Sequence, residues 1–167
     1  MKRRGDVARV YLKPAEIHLS KRPAAVSTVL GSCVSVTMFH RRGGVGAICH
    51  GLLPRCRENG ECGADCADNF KYMDCSISRM LEEFERMGIP RREIEVKVFG
   101  GADMIGGDGL TPAKASVGHQ NVDEALRLIR EKGLTLITSD TGGAEGRKII
   151  FYTHTGDVFL KRLKKAE

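Results

Sequence analysis

The sequence predicts an α+β protein, a layered sandwich of mixed β-sheets flanked by helices. Two observations carry that expectation. Several short runs alternate apolar and polar residues with the two-residue period of a half-buried strand, clearest at residues 33–39 and 93–99. Two longer runs, one after each group of strands, repeat apolar residues at three and four positions, as a helix with one buried stripe does. At 167 residues the chain is expected to form a single domain spanning 1–167, long enough to bury a sizeable core.

Residues 7–13 and 16–19 read as short strands broken at Pro14, and 21–23 as a loop before a strand-like run that ends at Cys33. An outgoing strand, 33–39, and a returning strand, 45–50, flank Arg41-Arg42-Gly43-Gly44. A turn centred between Arg41 and Arg42 makes paired residue numbers sum to 83. Val34, Val36 and Met38 then face Cys49, Ala47 and Val45, and Cys33 stands directly across from His50. Opposed Cβ atoms in such a pair lie about 4.5–5.5 Å apart.

Further along, 54–69 holds Cys56, Cys62 and Cys66 among glycines and charges, with Cys75 shortly after. The C-x5-C-x3-C-x8-C spacing matches neither zinc ribbons nor ferredoxin runs, so no metal is assigned. Asp68 or Asn69 can cap a helix over 70–87 whose stripe is Met73, Ile77, Met80, Leu81, Phe84 and Met87, with Cys75 off the stripe and Gly88 closing it. Gly106-Gly107-Asp108-Gly109 reads as a substrate-entry flap or a plain connector. A second helix, capped by Asn121, buries Val122, Ala125, Leu126 and Ile129 and ends at Gly133. A strand at 134–138 leads to Asp140-Thr141-Gly142-Gly143, and a hairpin joins 148–153 to 158–163. His119 reads as a surface or hydrogen-bonded residue and His154, at a turn, as exposed.

The formal net charge of +6 favours acidic partners. Nucleic acid is disfavoured, since the chain has no tryptophan and only 5% aromatic residues for base stacking. The N-terminus lacks the apolar stretch of a signal peptide and no run approaches a membrane span, so a cytoplasmic location is expected. There the six cysteines should be reduced thiols, metal ligands or catalytic groups rather than disulfides.

Cys33 and His50 read as a nucleophile and its base, or as a buried cysteine and a satisfied histidine that share one hairpin. A thiol with an ordinary pKa of about 8.5 is mostly un-ionised at neutral pH, and an imidazole can take its proton and later return it to a leaving group. Gly31-Ser32 before Cys33 suggests a tight turn that aims backbone N–H groups at one point, as an oxyanion hole requires. Ser27 or Thr28 could orient the imidazole.

Thr28-Val29-Leu30-Gly31-Ser32-Cys33-Val34, Gly46-Ala47-Ile48-Cys49-His50 and Leu53-Pro54 resemble the CheD family of chemoreceptor glutamine deamidases. The likeness continues in Phe99-Gly100-Gly101-Ala102, Gly118-His119-Gln120-Asn121-Val122, Asp140-Thr141-Gly142-Gly143 and Gly146-Arg147. It implies Cys33 as nucleophile and His50 as base, with a threonine six residues before the cysteine as third member, a place held here by Ser27. Thr28, one position on, is the alternative, and Gln120 stands where the family usually has arginine. Tyr72 and Asp74 occupy a family Tyr-x-Asp segment, as site lining or as helix start.

The resemblance further implies the layered fold shared with cytotoxic necrotizing factor toxins, and hydrolysis of glutamine side-chain amides on chemotaxis receptors without metal or organic cofactor. It implies as partners the receptors' acidic cytoplasmic helices and a CheC-type phosphatase. Two other readings stand beside it: a non-catalytic chemotaxis adaptor on the same fold, and a thiol-based metal or redox protein built on Cys56, Cys62, Cys66 and Cys75.

Overall fold

Residues 7–56, 70–104 and 116–164 are described by a computed structural model. Among the described residues, nine strands form two sheets. The first sheet has four strands, β1 (Ala8–Tyr11), β3 (Ala24–Leu30), β8 (Gly146–Tyr152) and β9 (Val158–Leu163), in the order β1-β3-β8-β9. The second has five, β2 (Ile17–Ser20), β4 (Val34–His40), β5 (Val45–Cys49), β6 (Ile94–Gly100) and β7 (Thr135–Thr141), in the order β2-β5-β4-β6-β7. Both sheets are mixed, because β1 runs parallel to β3 and β6 parallel to β7 while the other pairs are antiparallel. With helices α1 (Met73–Arg86) and α2 (Val117–Glu131), this is the expected α+β layered sandwich.

The layers follow from the side chains. Val34, Val36 and Met38 of β4 and Ile94, Val96 and Val98 of β6 pack against Met73, Ile77, Met80 and Phe84 of α1 and Ala125, Leu128 and Ile129 of α2. On the other side of the five-stranded sheet, Ile48 and Phe99 meet Val26, Leu30, Ile149 and Phe151 of the four-stranded sheet and Leu12 just past β1. The middle sheet is therefore covered on both faces, and every residue of β4 and β5 is buried. Both helices cover this one sheet rather than one sheet each. The outer face of the four-stranded sheet exposes Tyr11, Val29 and Phe159.

The β4–β5 hairpin departs from the expected register by two residues. Met38 pairs with Ala47, His40 with Val45 and Val34 with Gly51, so paired numbers sum to 85. In this register Ser35 falls opposite His50, and Cys33 is its diagonal neighbour on the same face. The cause is the turn. Arg41 to Gly44 all lie outside the ladder, His40 Nδ1 accepts the Gly43 N–H at 3.2 Å, and Gly44 takes a φ of 61°. A shift of two preserves which face each residue occupies.

Three further expectations change. The N-cap of α2 is Ser116, whose side chain accepts the His119 N–H at 3.1 Å, so Asn121 is interior to the helix. Cys75 is buried at the start of α1 but lies outside the core cluster formed by the helix's stripe, as expected. His154 is half-buried, with an edge-on ring contact to Tyr152. The strand expected at 134–138 runs on to Thr141 along the sheet edge. The cap expected at Asp68 or Asn69 and the Gly106–Gly109 loop lie outside the described residues.

Candidate active site

Gly31, Ser32 and Cys33 form the link by which the chain leaves β3 of one sheet and enters β4 of the other. All three carbonyls of the link are occupied. Gly31 O accepts from Ala102 N at 2.9 Å, Ser32 O from Asn121 Nδ2 at 3.1 Å, and Cys33 O from Gly101 N at 2.9 Å. No carbonyl among the described residues accepts the N–H of Gly31, Ser32 or Cys33. The acceptors of the link are thus satisfied, while the N–H groups of Gly31 and Ser32 have no acceptor among the described residues and that of Cys33 lies by its own sulfur.

Glycines make this approach possible at the end of β6. Gly100 has φ +107°, and a Cβ there would lie 2.3 Å from the Cys33 carbonyl oxygen. A Cβ at Gly118 would lie 2.4 Å from Ala102 O, so the first turn of α2 is pressed against the same segment. Arg147, only 1% exposed, braces the corner from behind. Its guanidinium donates to Asp140 Oδ1 at 2.8 Å and Gly142 O at 2.9 Å, with a longer bond of 3.4 Å to Gly100 O. A buried guanidinium needs this full set of acceptors.

His50 lies between the sheets just beyond β5 and is 2% exposed. Its Nδ1 is 2.7 Å from Thr28 Oγ1, and Thr28 Oγ1 is 2.8 Å from the Leu12 carbonyl. A hydroxyl has one proton, and the Leu12 carbonyl can only accept it, so Thr28 Oγ1 accepts from His50 Nδ1–H. That places the proton on Nδ1 and leaves Nε2 as the basic nitrogen. Nε2 is buried with no hydrogen-bond partner among the described residues. The hydroxyl on the imidazole is thus that of Thr28. Ser27 alternates to the other face of β3, pairing with Tyr11 and Ile150, and makes no contact of this kind.

Burial sets the charge states. It pushes the His50 pKa down to about 4. It also raises that of the Cys33 thiol, offset in part by the residue's own backbone N–H. The resting pair is a neutral thiol and a neutral imidazole on one face, without a hydrogen bond between them. Cys49 lies on the opposite, helix-facing side of its strand, where burial raises its pKa to about 12. Cys33, by contrast, is half-exposed and lies on the same face as His50.

The reading from sequence missed Asn121 as a site residue. Fully buried in α2, it donates from Nδ2 to Ser32 O at 3.1 Å and Leu52 O at 3.0 Å. An asparagine inside a helix is a signal in itself, because its side chain competes with the helix backbone. Gln120, its neighbour, lines a cavity of about 540 Å³ with Arg55, Glu124 and Arg127, where the two arginines pair with Glu124. Asp74 is buried and accepts the backbone N–H groups of Cys56 and Cys75, and Tyr72 precedes α1 as its N-cap. Cys62 and Cys66 lie outside the described residues, among which no three His, Cys, Asp or Glu side chains gather as metal ligands. His119 is half-buried on α2 and pairs with Asp123.

A family model described as CheD chemotactic sensory transduction matches residues 52–162. A Geobacter sulfurreducens protein named "Probable chemoreceptor glutamine deamidase CheD 2" is 49% identical over 158 residues, 95% of this chain and 92% of that one. A Maridesulfovibrio salexigens protein named "Probable chemoreceptor glutamine deamidase CheD" is 40% identical, covering 96% of this chain and 95% of that one. A solved Neisseria meningitidis protein of the DUF152 family, 11% identical, overlays 82% of this chain and 64% of its own with a TM-score of 0.46. The two named relatives span Cys33 and His50, which the family-model match does not reach, and on both grounds the chain belongs to the CheD family.

Proposed function

We propose that this protein hydrolyses the side-chain amides of specific glutamines on the cytoplasmic helices of chemotaxis receptors, giving glutamate and ammonia, with Cys33 as nucleophile and His50 as base. The observation that carries the reading is the unpartnered His50 Nε2, basic by tautomer and on the same face as Cys33. Neither group is charged at rest, so the thiol proton passes to Nε2 as sulfur attacks the amide carbon. The carbonyl oxygen gains negative charge and takes hydrogen bonds from N–H groups of the 31–33 link. Collapse breaks the C–N bond as the imidazolium gives its proton to the nitrogen, releasing ammonia and leaving a thioester. Neutral His50 then takes a proton from water, hydroxide adds to the thioester, and sulfur leaves and is reprotonated.

The family's role in chemotactic sensory transduction supports receptors as the substrate, and the net charge of +6 suits acidic helices. No helix among the described residues is long and apolar enough to cross a membrane, which is compatible with the proposed cytoplasmic location. A CheC-type phosphatase is the proposed regulatory partner, to be tested by co-purification. The test of the chemistry is mass spectrometry of a receptor cytoplasmic fragment after incubation with the parent protein, Cys33→Ala or His50→Ala. Glutamine-to-glutamate conversion is expected with the parent alone; equal conversion by all three overturns the assignment.

A further inference from the structure

We infer that Asn121 is the positioning residue that fixes Cys33 relative to His50, the amide clamp between the nucleophile link and the strand that carries the base. The inference rests on the Cys33–His50 reading above and adds a residue to it. The β4–β5 ladder ends at Val34 and Gly51, which exchange both backbone bonds, 3.0 Å from Val34 N to Gly51 O and 2.9 Å in return. Beyond that pair the strands part, one into the turn that holds Cys33 and the other into Leu52, two residues past His50. No backbone rung joins the parted ends. The two N–H groups of Asn121 Nδ2 do so instead, one on Ser32 O and one on Leu52 O.

The amide can only sit one way round. Ser32 O and Leu52 O are both acceptors, so turning the group over would set oxygen against oxygen. In the orientation observed, Oδ1 is buried with no partner among the described residues. An unsatisfied buried acceptor is destabilising, and an alanine here would avoid that cost while favouring the helix. A residue kept only for packing would not carry that penalty. What Asn121 supplies, and an apolar residue could not, is a pair of donors spanning the two parts of the catalytic pair. The backbone of α2 is itself anchored there, since Gly118 lies against Gly101 and Ala102, whose N–H groups hold the Cys33 and Gly31 carbonyls.

The test compares the parent protein with Asn121→Ala, Asn121→Ser and Leu128→Ala, the last a buried α2 residue far from the link that controls for loss of helix packing. Two quantities are read: kcat and KM on a receptor fragment, and the pH dependence of Cys33 alkylation by iodoacetamide, followed at the Cys33 peptide by mass spectrometry. Asn121→Ala is expected to lower kcat about 10–100-fold with KM within about threefold, the effect of displacing a reacting group by a fraction of an ångström to an ångström. Its alkylation profile should approach that of His50→Ala, with Asn121→Ser, which offers one O–H, lying between. Leu128→Ala should lower the melting temperature and leave the profile at the parent's. If Asn121→Ala and Asn121→Ser lose stability but keep the parent's kcat and alkylation profile, Asn121 merely packs the helix and the inference falls. Alkylation needs no glutamine, so a shifted profile in a protein that deamidates no receptor would uphold the clamp while the substrate reading failed.

Discussion

Thr28 and Ser27 are adjacent hydroxyls on one strand, and only the pleat decides which of them touches the imidazole. Thr28 Oγ1 meets His50 Nδ1, while Ser27 faces away. Thr28→Ala removes the acceptor that holds the Nδ1 tautomer and is expected to lower kcat about 10–100-fold, while Ser27→Ala should stay within about twofold, both read in the same deamidation assay. Residue spacing brought both hydroxyls into view but could not choose between them, because the choice depends on how β3 of one sheet meets β5 of the other. Burial of His50 has a thermodynamic signature as well. Its folded pKa of about 4 lies below the ordinary value of 6.5, so between these values the unfolded chain binds more protons. Stability should therefore fall as the pH drops from about 6.5 towards 4, by about 3 kcal/mol from this group. Urea unfolding across that range should show the slope, and His50→Gln should flatten it.

At the scale of elements, the hairpin and α2 show what was legible and what was not. The alternation of Val34, Val36 and Met38 correctly marks the face of β4 that packs on the helices, and faces survive a two-residue shift. Register itself depends on the turn, where His40 caps Gly43 and the last ladder pair is His40 with Val45. No alternation encodes that. The apolar spacing of α2 was legible, but its start was misplaced because an asparagine after a polar stretch looks like a cap. Its tertiary bonds to Ser32 and Leu52 show why it stands inside the helix. The end of β6 offers the sharpest test at this scale. Gly100→Ala would force a Cβ to within 2.3 Å of the Cys33 carbonyl at a φ of +107°. The link must move, and kcat is expected to drop at least 100-fold with a loss of several degrees in melting temperature.

For the whole molecule, the class was legible because strand and helix periods are local properties. The arrangement was not, because it depends on contacts across the layers. β4 carries one apolar and one Ser/Thr-rich face, yet both are buried, since the second faces the other sheet and His50. Arg147 could be noticed in the sequence, but its buried pairing with Asp140 and the Gly100 and Gly142 carbonyls exists only once β6, β7 and β8 are assembled. The surface charge of +6 acts over a longer range still and should speed the encounter with acidic helices.

The hydrogen-bonded chain from His50 to Thr28 to the Leu12 carbonyl contains no ionised member. Ionic strength therefore has nothing to screen there, in contrast to a site whose imidazole leans on a carboxylate. Raising sodium chloride from about 0.05 to 0.5 M should depress kcat/KM several-fold, through the encounter alone, and leave kcat level. One salt titration thus separates how the enzyme finds a receptor from how it cleaves an amide.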